Sequence, residues 1–173
     1  YDNRYFGEVS LRRDGRSNFG SNNRYGNFFS FSGAWNMNNE SWFKAQWVDM
    51  LKLRASFGSV GNVPTSLYPS YSLYSVGASY NEQSGALISQ IGNKDLTWEK
   101  TTTWNAGIDL GFLNNRLVFN VDWYYRKTKD LINTVYVSAG SNFRNKVTSN
   151  IGSLHNTGFE FATTVRPIES KNF

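Results

Sequence analysis

Between Leu117 and Tyr125 every second residue is large and apolar: Leu117, Phe119, Val121, Trp123 and Tyr125. Val118, Asn120, Asp122 and Tyr124 stand between them. A period of two is the mark of a β-strand whose faces differ, here one greasy and aromatic, the other carrying an amide and a carboxylate. The greasy face needs either a protein core or a lipid bilayer against it. That choice decides what kind of protein this is.

Five further segments alternate in the same way. Tyr5 to Arg12 sets Val9 and Leu11 against Glu8, Ser10 and Arg12; Phe29, Phe31 and Trp35 oppose Ser30, Ser32 and Asn36. Leu51, Leu53, Ala55 and Phe57 oppose Lys52, Arg54 and Ser56, and Trp104 to Phe112 sets its apolar residues against Asn105 and Asp109. The last segment, about Val147 to Arg166, ends with Phe159, Phe161 and Val165 opposite Glu160, Thr164 and Arg166. It is expected to run as one strand with a kink or bulge near Gly158; a turn at His155–Gly158 is the alternative. Long polar connections are expected at 13–24, 60–97 and 127–146, the last with an extended piece at Leu131–Val137. Tight turns are expected at Leu113–Arg116, where Asn tolerates positive φ, and at Pro167–Lys171. Residues 38–49 suggest one or two helical turns capped by Asn39 or Ser41, with Phe43, Trp47 and Met50 on one face. If the strands run up and down, all three long loops fall at one end.

Alternation alone also suits a soluble sandwich. Three features favour lipid. Long loops at one end and short turns at the other are the habit of outer-membrane barrels. Trp35, Trp42 and Trp47 at the short-turn end and Trp123, Tyr124 and Tyr125 at the other resemble two interfacial girdles. The polar faces, with Glu8, Arg12, Lys52, Arg54, Asn105, Asp109, Asn120, Asp122, Glu160 and Arg166, suit a wet lumen. Aromatics make up 17% of the residues, high for a chain whose mean hydropathy is −0.51. No apolar run approaches the roughly 20 residues of a membrane-crossing helix. The fold expected is all-β, about six antiparallel up-and-down strands of a transmembrane barrel, too few to close one. A soluble β-sandwich or adhesin-like module that recognises glycans through Gly/Asn-rich loops stays open as the alternative.

The chain carries 18 basic and 13 acidic residues, a formal charge of +5. The densest basic cluster, Arg126-Lys127-Lys129, follows a strand with Asp130 beside it. No basic stripe with RNA-binding aromatics accompanies it, so no nucleic-acid partner is expected; a mildly basic surface meets anionic headgroups equally well, or nothing in particular.

The strings SLRRDGRSNFGSNNRYGNFFSFSGAW, LKLRASFGSVGN at 51–62, NKDLTWEKTTTWNAGIDLGFLNNRL at 93–117, DWYYRKTKDLI at 122–132 and NIGSLHNTGFEFATTVRPIESKNF at 150–173 resemble, in order, the C-terminal barrel of the SusC/RagA-type TonB-dependent transporters of the Bacteroidetes. The resemblance implies an outer-membrane barrel of about 22 strands with a plugged lumen. It implies import of oligosaccharides or peptides beneath a SusD-like surface lipoprotein, driven through TonB. On that reading residues 1–173 are part of the barrel domain, and the plug and the TonB-contacting segment lie outside them. The lumen-facing residues named above would line the path or anchor the plug, against the plainer reading that they pair with one another. Tyr68, Tyr71, Tyr74 and Tyr80 in the longest loop are candidates to stack on sugar rings; packing of the loop is the plainer explanation.

No catalytic, cofactor-binding or metal site is expected. With zero cysteines and one histidine, His155, thiol chemistry is excluded and a serine triad has a single base to recruit. No G-x-S-x-G elbow or G-K-[ST] phosphate loop occurs. Asp109 and Asp122 face the same side of neighbouring strands, as a glycosidase pair would, but no cleft is expected around them. Asn39-Glu40-Ser41 matches a glycosylation acceptor, a short pattern that arises often by chance.

Overall fold

The protein is described by a computed structural model over residues 1–137 and 146–167, the side chain of Tyr80 excepted. Six strands form one antiparallel sheet: β1 (Tyr5–Gly15), β2 (Tyr25–Asn36), β3 (Val48–Asn62), β6 (Glu99–Phe112), β7 (Leu117–Lys129) and β10 (Ser153–Val165), in that spatial order. Each strand pairs with the next in the sheet, so the chain meanders. Two small hairpins interrupt it at the long-loop end. β4 (Leu73–Tyr80) pairs with β5 (Gln83–Gln90), and β8 (Ile132–Tyr136) pairs with β9 (Lys146–Asn150).

Register carries the alternation across the whole wall. Glu8, Ser32, Ser56, Asn105, Tyr124 and Gly158 form one continuous row of cross-strand partners. The adjacent row runs Gly7, Gly33, Ala55, Ala106, Trp123 and Phe159. Since neighbouring residues point to opposite faces, the first row is polar and the second apolar. On the apolar face Val9, Phe31, Trp104, Phe159 and Phe161 are all exposed, as are Trp42 and Trp47 beyond the strands.

The Leu113–Arg116 turn is built as expected, and Leu113, Asn114 and Asn115 all take the left-handed conformation, φ 57°, 59° and 57°. Three expectations are corrected. Residues 38–49 hold no helix: only Met37–Asn39 form a 3-10 turn, its N-cap makes no side-chain bond, and neither Asn39 nor Ser41 caps anything. Trp47 instead stacks on Phe112 and Met50 joins β3, so a tertiary contact wins over a weak helical period. The final segment is not one strand kinked near Gly158. It breaks at Ile151-Gly152, where Gly152 sits at φ 78°, while β10 pairs with β7 through Gly158 without a bulge. Third, residues 60–97 are not one long loop, since β3 reaches Asn62 and β4 and β5 fold back on an Asn81-Glu82 turn with both φ positive. The expected turn at Pro167–Lys171 lies outside the described residues beyond Pro167.

Among the described residues a buried apolar core forms in one place. Phe19, Phe28, Leu96 and Trp98 are buried together, with Val63 packed against them. Phe19 and Phe28 approach the Trp98 ring at 5.1 and 5.5 Å, and Trp98 Nε1 donates to the Asn23 carbonyl at 3.1 Å. The cluster ties the β1–β2 loop to the segment entering β6, at the long-loop end.

Candidate functional site

Nine of the ten residues expected to face the lumen, all but Arg166, lie on strands and share the polar face by parity, and they divide into groups. Arg54 on β3 is held between two neighbouring strands. Its Nε and Nη2 donate to both Asp109 oxygens at 2.9 and 2.7 Å, and Nη2 also donates to Asp122 at 3.0 Å. Asn120 Nδ2 adds a bond to Asp109 at 2.8 Å. The fork of the guanidinium suits a bidentate carboxylate contact that lysine does not reproduce. Gly107, opposite Arg54 in the register, makes the triad possible: a Cβ there would overlap the Asp122 carboxylate and come within 2.9 Å of Arg54. Asp109 is buried, and Asp109 and Asp122 form an ion bridge through Arg54 rather than a free carboxylate pair.

The remaining members are more open. Arg12 pairs with Asp14 at 2.9 Å and lies over Phe28, while Lys52 lies over the Phe6 ring at 5.5 Å. Asn105 reaches Ser56 at 3.4 Å. Arg166 follows the end of β10, its backbone N–H donating to Arg116 at 2.8 Å. Glu8 and Glu160 have no cationic partner among the described residues.

Five of them, Glu8, Arg54, Asn105, Asp122 and Glu160, line a trough of about 930 Å³ on the polar face. Tyr124, Arg126 and Asn156 also line it and were absent from the sequence expectation. Tyr124, expected in an outer girdle, points inward by parity, and Gly158 leaves room for its ring, since a Cβ there would sit 2.8 Å from the Tyr124 hydroxyl. Trp123 stays outward but in the middle of β7, so the upper girdle is not a band of three residues at a strand end.

Between β3 and β5, Tyr68, Tyr71 and Tyr74 are 57%, 56% and 62% exposed. The backbone beneath them is fixed: Gln90 Nε2 donates to the Tyr68 and Tyr71 carbonyls at 2.7 and 3.1 Å. More than half of the surface of each of these three tyrosines is open to solvent. Of Tyr80 only the backbone, at the end of β4, is described.

At the short-turn end a buried carboxylate that the sequence did not flag locks the wall. Glu40 accepts from Tyr5 Oη, from Trp35 Nε1 at 2.9 Å and from Arg4 Nη1 at 3.4 Å. Tyr5 stacks on Trp35, which meets Trp42 edge-on. The Tyr5 and Trp35 hydrogen bonds hold the Glu40 carboxyl below its ordinary range. Asn39 donates to the Asn3 carbonyl at 2.9 Å, so both residues brace the same turn.

A meandering two-faced sheet, apolar without and polar on its concave side, is the wall of a membrane β-barrel. The TonB dependent receptor-like β-barrel family model matches residues 1–170, and the chain belongs to that family. It is 40% identical over 182 aligned positions to the TonB-dependent receptor SusC of Bacteroides thetaiotaomicron, covering 99% of this chain and 18% of that protein. A TonB-dependent receptor of Formosa agariphila is 38% identical, over 100% of this chain and 17% of that one. The RagAB peptide importer in its closed-closed state superposes with a TM-score of 0.89 at 34% identity, covering 99% of this chain and 19% of the importer chain. The chain thus spans about a fifth of the length of its relatives. These are outer-membrane barrels, receptors and transporters rather than enzymes, and this wall belongs in the outer membrane.

Proposed function

We propose that these residues are part of the C-terminal barrel wall of an outer-membrane importer that takes up oligosaccharides or peptides. The observation that carries this reading is the two-faced sheet with its polar trough, superposable on a wall of a protein named as a peptide importer. The plug and the TonB-contacting segment belong to the rest of the longer protein, and a SusD-like lipoprotein covers the long-loop end. Glu8, Asn105, Glu160 and Arg126 face the transport path or the plug, and the Arg54–Asp109–Asp122 bridge sets the shape of the wall behind them. The exposed Tyr68, Tyr71 and Tyr74 meet the lipoprotein or the arriving substrate. The wall itself breaks no bonds, in keeping with relatives that are receptors.

Uptake of labelled oligosaccharides and peptides by cells with and without the full receptor tests this. Uptake should vanish on deletion, on collapse of the proton gradient and on removal of the lipoprotein. Uptake that persists after deletion overturns the reading.

A further inference from the structure

The outward face of the wall carries charge of one sign at one end. From the register, the outward positions of β1 are Tyr5, Gly7, Val9, Leu11, Arg13 and Gly15, and those of β7 are Leu117 through Lys129 by twos. Across all six strands the outward charged positions are Arg13, Lys100, Lys127 and Lys129, every one at the long-loop end. The strand carboxylates Glu8, Asp14, Glu99, Asp109, Asp122 and Glu160 alternate to the other face; Asp49 falls at the β3 bulge, at the opposite end. Alternation also splits the basic run of the sequence: Arg126 lines the trough, while Lys127 and Lys129 point out.

The three lysines are brought together by pairing. Lys100 lies directly opposite Lys129, and Lys127 directly opposite His155. Like charges opposite one another repel, and none of Lys100, Lys127, Lys129 and Arg13 has a carboxylate partner among the described residues; Arg13 lies over Tyr25 instead. The group lies on the long-loop side of the row of Val9, Phe31, Phe57, Trp104 and Tyr125: Lys127 is one outward position beyond Tyr125, and Arg13, Lys100 and Lys129 are two beyond Val9, Trp104 and Tyr125. An aromatic row with a cationic row beyond it is the order of groups met on leaving a bilayer's hydrocarbon for its headgroups. In outer-membrane barrels the long-loop end faces outward.

We infer that Lys100, Lys127 and Lys129, with His155 as a further polar contact, form a binding site for the phosphate-bearing headgroup of an outer-leaflet lipid. A phosphate placed between β6, β7 and β10 would relieve the Lys100–Lys129 repulsion, while the acyl chains lie along Trp104, Tyr125 and Phe159. This rests on the outer-membrane placement of the wall and is independent of what is imported.

The test titrates full receptor, purified in neutral detergent, with bis-phosphorylated lipid A and with the same lipid dephosphorylated, read by native mass spectrometry. Juxtamembrane lysines contribute about fivefold each to anionic-lipid affinity. The triple variant Lys100→Gln/Lys127→Gln/Lys129→Gln should therefore weaken binding of the phosphorylated lipid roughly hundredfold and leave the dephosphorylated lipid unchanged. The triple arginine variant should retain binding, which separates charge from misfolding. Equal retention of both lipids by wild type, or no loss in the glutamine variant, would overturn the site. So would displacement by equimolar inorganic phosphate, which would make it a free-phosphate site. A receptor that imports normally in cells but shows no lipid preference would sink this inference and spare the proposed function; lipid preference without import would do the reverse.

Discussion

The loop base and the wall below it use the same kinds of side chain to opposite ends. At the loop base Phe19, Phe28, Leu96 and Trp98 are 5% exposed or less and touch one another. In the wall Phe31, Trp104, Phe159 and Phe161 are 46%, 48%, 66% and 74% exposed. The first region is an ordinary protein core in miniature, stabilised by apolar surface withdrawn from water within the chain. The second buries its rings only when something outside the chain covers them. Aromatic residues are therefore no guide to where this protein's own core lies; their partners are.

That contrast can be broken by substitution. Trp98→Ala should cost about 3–5 kcal/mol, as for large aromatic truncations in a core, and should open the β1–β2 loop to protease while the strands stay protected. In the wall, charge rather than cavity should matter. Ala106→Arg, outward, should destabilise the inserted receptor by about 2–4 kcal/mol, whereas Asn105→Arg, one residue away and facing the trough, should cost close to nothing. Denaturant midpoints of the receptor in bilayers measure both. Equal effects at 105 and 106 would contradict the assignment of faces.

A smaller effect is expected behind the trough. Arg54→Met leaves the buried Asp109 and its neighbour Asp122 without their cation; with Arg54 about a third exposed, roughly 2 kcal/mol is expected rather than the larger loss of a fully buried pair. Adding Asp109→Leu should restore most of it, measured as a double-mutant cycle. The last effect is a pH dependence at the short-turn end. Glu40 is held below its ordinary range by the Tyr5 and Trp35 hydrogen bonds, so its contribution is present above the usual glutamate pKa and is lost as pH falls through the lowered one. Thermal midpoints of wild type and Glu40→Gln should differ at neutral pH and converge in acid; a gap that does not narrow on acidification would rule out the carboxylate as the cause.

Much of the wall was legible because parity is a local signal. Leu117 to Tyr125 reads as a strand without reference to anything else, and the same rule placed nine of the ten polar candidates, all but Arg166 beyond the end of β10, on one face. What parity could not supply was partnership. Nothing in 51–57 or 104–112 says that Arg54 will reach both Asp109 and Asp122, or that Gly107 must be small to allow it. Phe19 and Trp98 are far apart in sequence, so the loop core was invisible. The β4–β5 hairpin was missed because its turn is Asn81-Glu82 rather than Asn-Gly and its strands are rich in serine, which weakens the alternation. The helical reading of 38–49 failed since Trp47 is claimed by Phe112 and Glu40 by Tyr5 and Trp35, contacts across strands that a helical period does not anticipate.

The central claim, that one face of this sheet meets lipid and the other water, is tested most directly by spin-label accessibility along β7. Single cysteines are placed in turn from Leu117 to Lys129 in a full receptor, in bilayers, that is otherwise free of cysteine; these 173 residues contain none to remove. Oxygen accessibility should peak at 119, 121, 123 and 125, and that of an aqueous nickel chelate at 118, 120, 122 and 124. A flat profile, or one with the two reagents exchanged, would contradict the membrane wall described above.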